Sequence, residues 1–387
     1  MIGIVQAVAK GGAGILHAAD KTVFVPGVIA GETIEFAVEG KQKGIWQGKL
    51  QRILTPSPQR VEAPCRHYRE CGGCNLQHMA YAEQLRCKGD ILAANIKKIA
   101  GISRSESVAV LPSPPFRYRS KIELQVKNSA IGFFKKKSHQ LVAISQCLLL
   151  SDTTERFVLG LPALPAATNG VLQILGNGSD LAARLQNSKN EVRWLSPHHS
   201  LFFDFPSYRY QFAPEHFIQA NLFQMPPMLE LLTKYLPAAP GNNAADLFCG
   251  CGFFTLPLAR HFQRVLALEN DPGNLAALRV NLKLNQITNV EVCSADALRT
   301  DLPPLDLVVA DPPRGGLSAA IISQIAHAGT QTVIYFSCDS ATFARDLRLF
   351  LAQGFGLREL EIIDNFPQTD HFEIFSLLKK SAMRLNL

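Results

Sequence analysis

The sequence predicts a multidomain chain with a small β-barrel in front, an α+β block in the middle and a Rossmann-like α/β domain at the end. Three observations predict it. From Ile2 to about Thr55, short apolar runs (GIVQAVA, TVFVPGV, TIEFAVE, GKLQRIL) alternate with the turn segments GGAG, AADK and VEGKQKG, which is strand-and-turn chemistry with little helical periodicity. From Pro56 to about Pro206 the pattern is mixed: three closely spaced cysteines, the helical stretch AYAEQLRCKGDILAANIKKIAG, and PFRYRSKIELQVKN. From about Gln211 the apolar runs AADLF, VLALEN, VEVCSA, LDLVVA and TVIYFS alternate with helical segments such as PGNLAALRVNLKLN and ATFARDLRLFLAQG, the pattern of a mainly parallel sheet covered by helices. The units are therefore expected at residues 1–55, 56–206 and 207–387, and the helical stretch near residues 80–101 is free to pack on the last of them.

Composition narrows the class. At 387 residues, 47% hydrophobic and 18% charged, the chain can bury two or three ordinary cores. The first thirty residues lack a charged start followed by a continuous apolar core, and no apolar run is long enough to span a bilayer, so a soluble, cytoplasmic protein acting as a monomer without a membrane is expected. A net charge of +7 permits a polyanionic partner without requiring one. In a reducing compartment, nine cysteines point to metal ligands, nucleophiles or buried apolar residues rather than to a disulfide framework.

Residues that carry chemistry recur at the expected carboxyl ends of the α/β strands. In AADLFCGCGFFTLPLA, Asp246 closes a strand, Gly250 and Gly252 turn the chain, and a helix begins near Phe254, so a ligand can approach the backbone there. Twenty-three residues after Asp246, Glu269 ends the next strand, where an acidic side chain accepts hydrogen bonds from ribose hydroxyls. A third strand is expected to end at Ala295-Asp296, close to the position of an adenine edge. The missing third glycine argues against a dinucleotide, and the missing GK[ST] sequence against a nucleoside triphosphate. S-adenosylmethionine fits better. In LDLVVADPPRGG, two prolines fix the turn after Asp311. In TVIYFSCDS, Cys338 stands just before a helix, whose N-terminus is expected to lower the thiol pKa. In NFPQTDHFEIFSLL, Glu373 begins a last strand after a Pro turn that also carries His371.

Together HFIQAN, DLFCGCGFF, ADPPRGG, YFSCDSATFARDL and FPQTDHFE resemble the RNA uracil-5-methyltransferase family that uses S-adenosylmethionine. Residues 1–55 are similar to a TRAM domain, an OB-like barrel, and CRHYRECGGC resembles the iron-sulfur segment of ribosomal-RNA members. The resemblance implies that Cys65, Cys71 and Cys74 join the remote Cys147 to hold a [4Fe-4S] cluster. The C-x5-C-x2-C triplet with one distant cysteine agrees with that, since paired knuckles are more usual for structural zinc, which stays the alternative. Cys87, beside Leu85 and Ile91 in the helical stretch, is a rival fourth ligand that packing also explains.

The resemblance also implies roles. Cys338 is the nucleophile that adds to C6 of uracil, and Glu373 is the base that removes the C5 proton. Gln219, Phe248, Glu269, Asp296 and Asp311 form the cofactor cradle. Phe253 departs from the pattern, because some members carry a polar residue there. Arg117, Arg119, Lys121 and Lys135 to Lys137, interleaved with aromatics, are expected to form an RNA-binding surface. The expected partner is 23S ribosomal RNA, with the T-loop of transfer RNA as the alternative. A noncatalytic RNA-binding protein with this fold would lack the thiol, the base or the cofactor acid, and Cys338, Glu373 and Glu269 are all present. Methylation of a non-RNA substrate stays open on fold alone.

Overall fold

The computed structural model describes residues 1–18, 20–103, 107–294 and 302–380. Asp296 lies outside the described residues. The apolar runs of the N-terminal segment form six strands: β1 (Ile2–Ile4), β2 (Ala7–Val8), β3 (Ala13–Ala18), β4 (Lys21–Pro26), β5 (Thr33–Gln42) and β6 (Ile45–Thr55). They pair in the order β1-β5-β6-β4-β3-β2 around a core that includes Leu16, Val23, Val25 and Phe36. The turn segments GGAG and AADK overlap the two ends of AGILHA. It is a full strand, paired from Ala13↔Pro26 to Ala18↔Lys21.

Helix α1 (Tyr81–Asn95) and strand β7 (Ala109–Leu111) come next, followed by a second six-stranded sheet. That sheet comprises β8 (Lys121–Lys127), β9 (Ala130–Phe134), β10 (Leu141–Ala143), β11 (Gly170–Gly176), β12 (Leu181–Gln186) and β13 (Val192–Trp194), with α2 (Asp152–Gly160) packed on it through Val158. The cysteine-rich segment is sewn to its edge: Cys71 bridges to Lys135, and Gly72 N donates to Phe134 O at 2.9 Å. A β-carbon at Gly72 would lie 2.7 Å from that carbonyl, so only glycine fits the approach. A hairpin, β14 (Leu201–Phe205) and β15 (Tyr208–Phe212), leads into the α/β unit.

The α/β unit contains α3 (Met225–Lys234), β16 (Gly241–Leu247), α4 (Thr255–His261), β17 (Phe262–Glu269), α5 (Pro272–Leu284) and β18 (Val290–Ser294). It continues with β19 (Leu307–Ala310), α6 (Ala319–His327), β20 (Thr332–Ser337), α7 (Ser340–Ala352), β21 (Phe355–Ile363) and β22 (Glu373–Lys380). The strand order is β18-β17-β16-β19-β20-β22-β21-β7: five parallel strands, then β22 antiparallel to both β20 and β21. Alternate strand residues serve opposite layers. Ala245, Leu247, Val308 and Tyr335 share a core with α6 and α7, whereas Ala244, Val309 and Phe336 share one with α3 and α4. Helix α1 belongs to the first layer through Ile91 and Leu92, and β7 extends the sheet beyond β21. Among the described residues no helix is long and apolar enough to cross a membrane.

Candidate active site

Chain order reverses between β16 and β19, and in open α/β sheets such a switch point forms a crevice at the carboxyl ends of the strands. The register fills that crevice. Leu247 pairs with Ala310, which sets Phe248 and Asp311 side by side, and Ser337 pairs antiparallel with Ile374, which brings Cys338 and Glu373 to one edge. A cleft of about 1290 Å³ opens there, lined by Cys338, Glu373, Asp311, Gln219, Phe248 and Glu269. Every one of the proposed nucleophile, base and cofactor residues that lies among the described residues therefore shares one cavity.

Glu373 is 6% exposed, although a lone glutamate at a strand start is ordinarily a surface residue. Burial raises its carboxyl well above the usual range, the Asp311 charge adds to the rise, and Arg314 opposes it. Burial raises Asp311 as well. The expected lowering of the Cys338 thiol is not found. Asp339 does cap α7, accepting from Ala341 N at 3.1 Å and Thr342 N at 2.9 Å. Burial, followed by Glu373 and Asp311, nevertheless pushes the thiol up to about 11, because desolvation and two nearby carboxyls outweigh the helix end and Arg314. A raised carboxyl is a stronger base once ionised, and a neutral one no longer repels the thiolate.

The opposite wall is built from backbone. Phe248 (φ 63°) and Gly250 (φ 52°) both take the left-handed conformation. A β-carbon at Gly250 would meet nothing nearer than Phe217 O at 3.9 Å, so that face is open to a ligand. At Gly252 it would lie 2.4 Å from Leu278, so this glycine serves helix packing. Glu269 accepts from Gly250 N at 2.9 Å through one oxygen, and from Asn270 N and Asp271 N through the other. The carboxylate pins the glycine turn while still lining the cleft. Asn365, missed in the sequence although it stands in the same motif as Glu373, donates to Gln219 Oε1 at 2.5 Å. Its own buried Oδ1 has no partner among the described residues. Arg314, two residues beyond Pro312 in ADPPRGG, was likewise missed and lines the cleft.

Lys135, Lys136 and Lys137 line the same cleft. Lys136 is exposed, its ammonium 5.0 Å from the Tyr68 ring centroid. The PFRYRS segment does not offer the expected cationic and aromatic face. Lys121 donates to the His216 carbonyl, Arg117 is paired with Glu155, and Tyr118 is fully buried, donating to Pro367 O at 3.0 Å. Arg119 and Lys121 line the cleft, whereas Arg117 and Tyr118 do not. Of the expected surface, Arg117 and Tyr118 are thus committed to other contacts.

A second, small cavity is lined by Cys65, Cys71, Cys74 and Cys147, together with Tyr68, Phe133 and Arg119. Cys87 is elsewhere, 4% exposed in the core beside Ile91. Burial first, then the thiols of Cys147, Cys71 and Cys65, push Cys74 up to about 12. Among the described residues no three His, Cys, Asp or Glu side chains are arranged to hold a metal ion as they stand.

The tRNA (Uracil-5-)-methyltransferase family profile matches residues 198–302 and 299–381. A 23S rRNA (uracil(1939)-C(5))-methyltransferase of Vibrio parahaemolyticus is 32% identical, over 96% of this chain and 94% of its own length. One of the same description from Pseudomonas putida is 30% identical over 97% of this chain and 92% of its own. The structure of a Pyrococcus abyssi tRNA (uracil-54, C5)-methyltransferase in complex with S-adenosyl-L-homocysteine superposes with a TM-score of 0.77 at 22% identity, covering 98% of this chain and 99% of the other. The chain belongs to the RNA uracil-5-methyltransferase family.

Proposed function

We propose that this protein methylates C5 of a uridine in 23S ribosomal RNA, with Cys338 as nucleophile and Glu373 as general base. The observation that carries the reading is the meeting of Cys338, Glu373 and Asp311 with Gln219, Phe248 and Glu269 in one cleft. Relatives aligned over nearly the whole chain, described as acting on 23S rRNA, support the choice of RNA. Transfer RNA is the second reading, favoured by the description of the matching family profile. The test is nucleoside analysis of unmodified 23S rRNA and transfer RNA after incubation with enzyme and isotope-labelled cofactor. Labelled 5-methyluridine in 23S rRNA supports the proposal, whereas label confined to transfer RNA moves the target.

Uracil C5 is too weak a nucleophile on its own. The Cys338 thiolate adds at C6, and the displaced ring electrons make C5 enolate-like. S-adenosylmethionine, when bound, supplies the electrophilic methyl group. Glu373 then takes the C5 proton, the C5=C6 double bond reforms, and the C6–S bond breaks with its electron pair returning to sulfur. Gln219, Phe248, Glu269 and Asp311 would hold the cofactor, with Asp296 also assigned to it from the sequence. The open face at Gly250 and the carboxylate of Glu269 fit a ribose. Replacing Glu269 by Ala should weaken cofactor binding about tenfold or more, the scale of a lost hydrogen bond to a charged group. Calorimetry giving an unchanged affinity would remove Glu269 from that role.

The target base must leave its stack to enter the cleft, at a cost that cations at the mouth offset. Lys135 and Lys137 are assigned to that surface, and Lys137 also approaches Gln47 of the N-terminal sheet, 3.5 Å from its Oε1. This continuity supports reading residues 1–55 as a TRAM-like RNA-binding unit, where Lys21 and Lys41 flank Trp46. Replacing Lys135 and Lys137 by Ala should weaken RNA binding and reduce its salt slope by about two, leaving cofactor affinity unchanged. An unchanged slope measured across a salt series would make them merely solvated. The four cysteines of the second cavity are assigned to a [4Fe-4S] cluster. Their all-thiol donor set, drawn from two separate segments, fits that group.

A further inference from the structure

The turn that delivers Glu373 is gripped from outside the cleft. Gln368 has φ 69°, the left-handed region that a residue with a side chain enters at a cost, and it is 3% exposed. Its partner is Gln84 on α1, 1% exposed. Gln84 Nε2 donates to Gln368 Oε1 at 3.0 Å, and Gln84 Oε1 accepts from Gln368 N at 2.9 Å, so the two amides close a reciprocal pair. The remaining donor of Gln84 Nε2 goes to Met79 O at 3.0 Å, which fixes the side chain to its own helix start. Gln368 Nε2 donates to Pro115 O at 3.3 Å, and Gln368 O accepts from Asn75 N and Leu76 N. Every polar group of Gln368 is thereby satisfied by residues distant in sequence. Such a buried, fully paired network over-determines a strained backbone. Gln368 itself does not line the cleft, but Thr369, His371 and Glu373, one to five residues on, do.

We propose that Gln84 is a positioning residue for the reaction, locking Gln368 in its left-handed conformation and so aiming Glu373 at the C5 proton. The inference rests on Glu373 being the base. Cys338 stands on a different strand end, which Gln84 does not touch, so formation of the C6–S bond is independent of the clamp. Only the last step, proton transfer from C5 to the Glu373 carboxylate with expulsion of the Cys338 thiolate, depends on it.

The experiment compares Gln84→Leu, Gln84→Glu, Glu373→Gln and the native enzyme on an ordinary uridine substrate, following both product release and the protein–RNA complex on denaturing gels. Gln84→Leu should lower kcat about tenfold to a hundredfold, as small misplacements of catalytic groups do, while the methylated complex accumulates. Its rate of complex formation and its kcat/KM for RNA should be unchanged, so that KM falls together with kcat, which a general loss of folding would not give. Gln84→Glu keeps the acceptor for Gln368 N and loses the donor, so it should stall less. Adding Gln368→Gly to Gln84→Leu should recover part of kcat, because glycine takes this φ without a clamp. A stalled Glu373→Gln beside a freely releasing Gln84→Leu would overturn the clamp alone. So would a Gln84→Leu enzyme in which complex formation slows as much as kcat, or a double variant no faster than the single one. Normal turnover by Glu373→Gln would overturn the reading of the base, and the clamp with it.

Discussion

Glu373→Gln is expected to stay attached to its RNA. The variant keeps the thiol proposed to attack C6, so addition and methyl transfer should proceed, but an amide cannot take the C5 proton and the C6–S bond should not break. Turnover should fall by roughly 10²–10⁴, the range of a general base, and a methylated covalent complex should build up. Denaturing gels and mass spectrometry of the linked peptide check this. The burial that raises Glu373 also makes the substitution mild for the fold, since a neutral side chain of the same shape sits there without a charge to desolvate. Rapid release would assign the proton to another group in the cleft, Asp311 or His371.

The second large effect concerns the thiol cavity. Anaerobically purified protein should carry about four irons per chain, the content of one [4Fe-4S] cluster. Cys74→Ser should lose most of them and lower the melting temperature of the middle of the molecule, because a group bound only by the folded chain contributes its binding energy to folding. The segments it would join are far apart in sequence, residues 65–74 and Cys147, yet they line one cavity. Cys87→Ser should keep its iron, since that thiol lies in the core shared by α1 and α7. Elemental analysis that found zinc, or iron lost with Cys87 and retained without Cys147, would contradict the assignment.

The strand ends of the α/β unit were legible in the sequence because period and position coincide there. Apolar runs close on Asp246, Asp311 and Cys338, and a parallel sheet collects such ends at one edge. The short triplet of cysteines was legible for a similar reason, since spacing alone brings them together. What escaped depends on long-range packing. PFRYRS reads as a cationic, aromatic surface, but Tyr118 is wholly buried and Arg117 is paired with Glu155, which no local pattern announces. The helix N-terminus before Ser340 was visible and suggested a lowered thiol. The two carboxyls that override it arrive from β19 and β22, and their burial is a property of the assembled site. The pairing of Gln84 with Gln368, 284 residues apart, has no local trace in the sequence at all.

Covalent catalysis by Cys338 is tested most directly with RNA that carries 5-fluorouridine at the target position, because carbon–fluorine bonds are not broken by removal of a proton. In the presence of S-adenosylmethionine the native enzyme should form a protein–RNA adduct that survives denaturation, and its linked peptide should contain Cys338. Without the cofactor, or with Cys338→Ala, no adduct should appear. Normal methylation of uridine by Cys338→Ala, or an adduct mapped to any other residue, would contradict the mechanism.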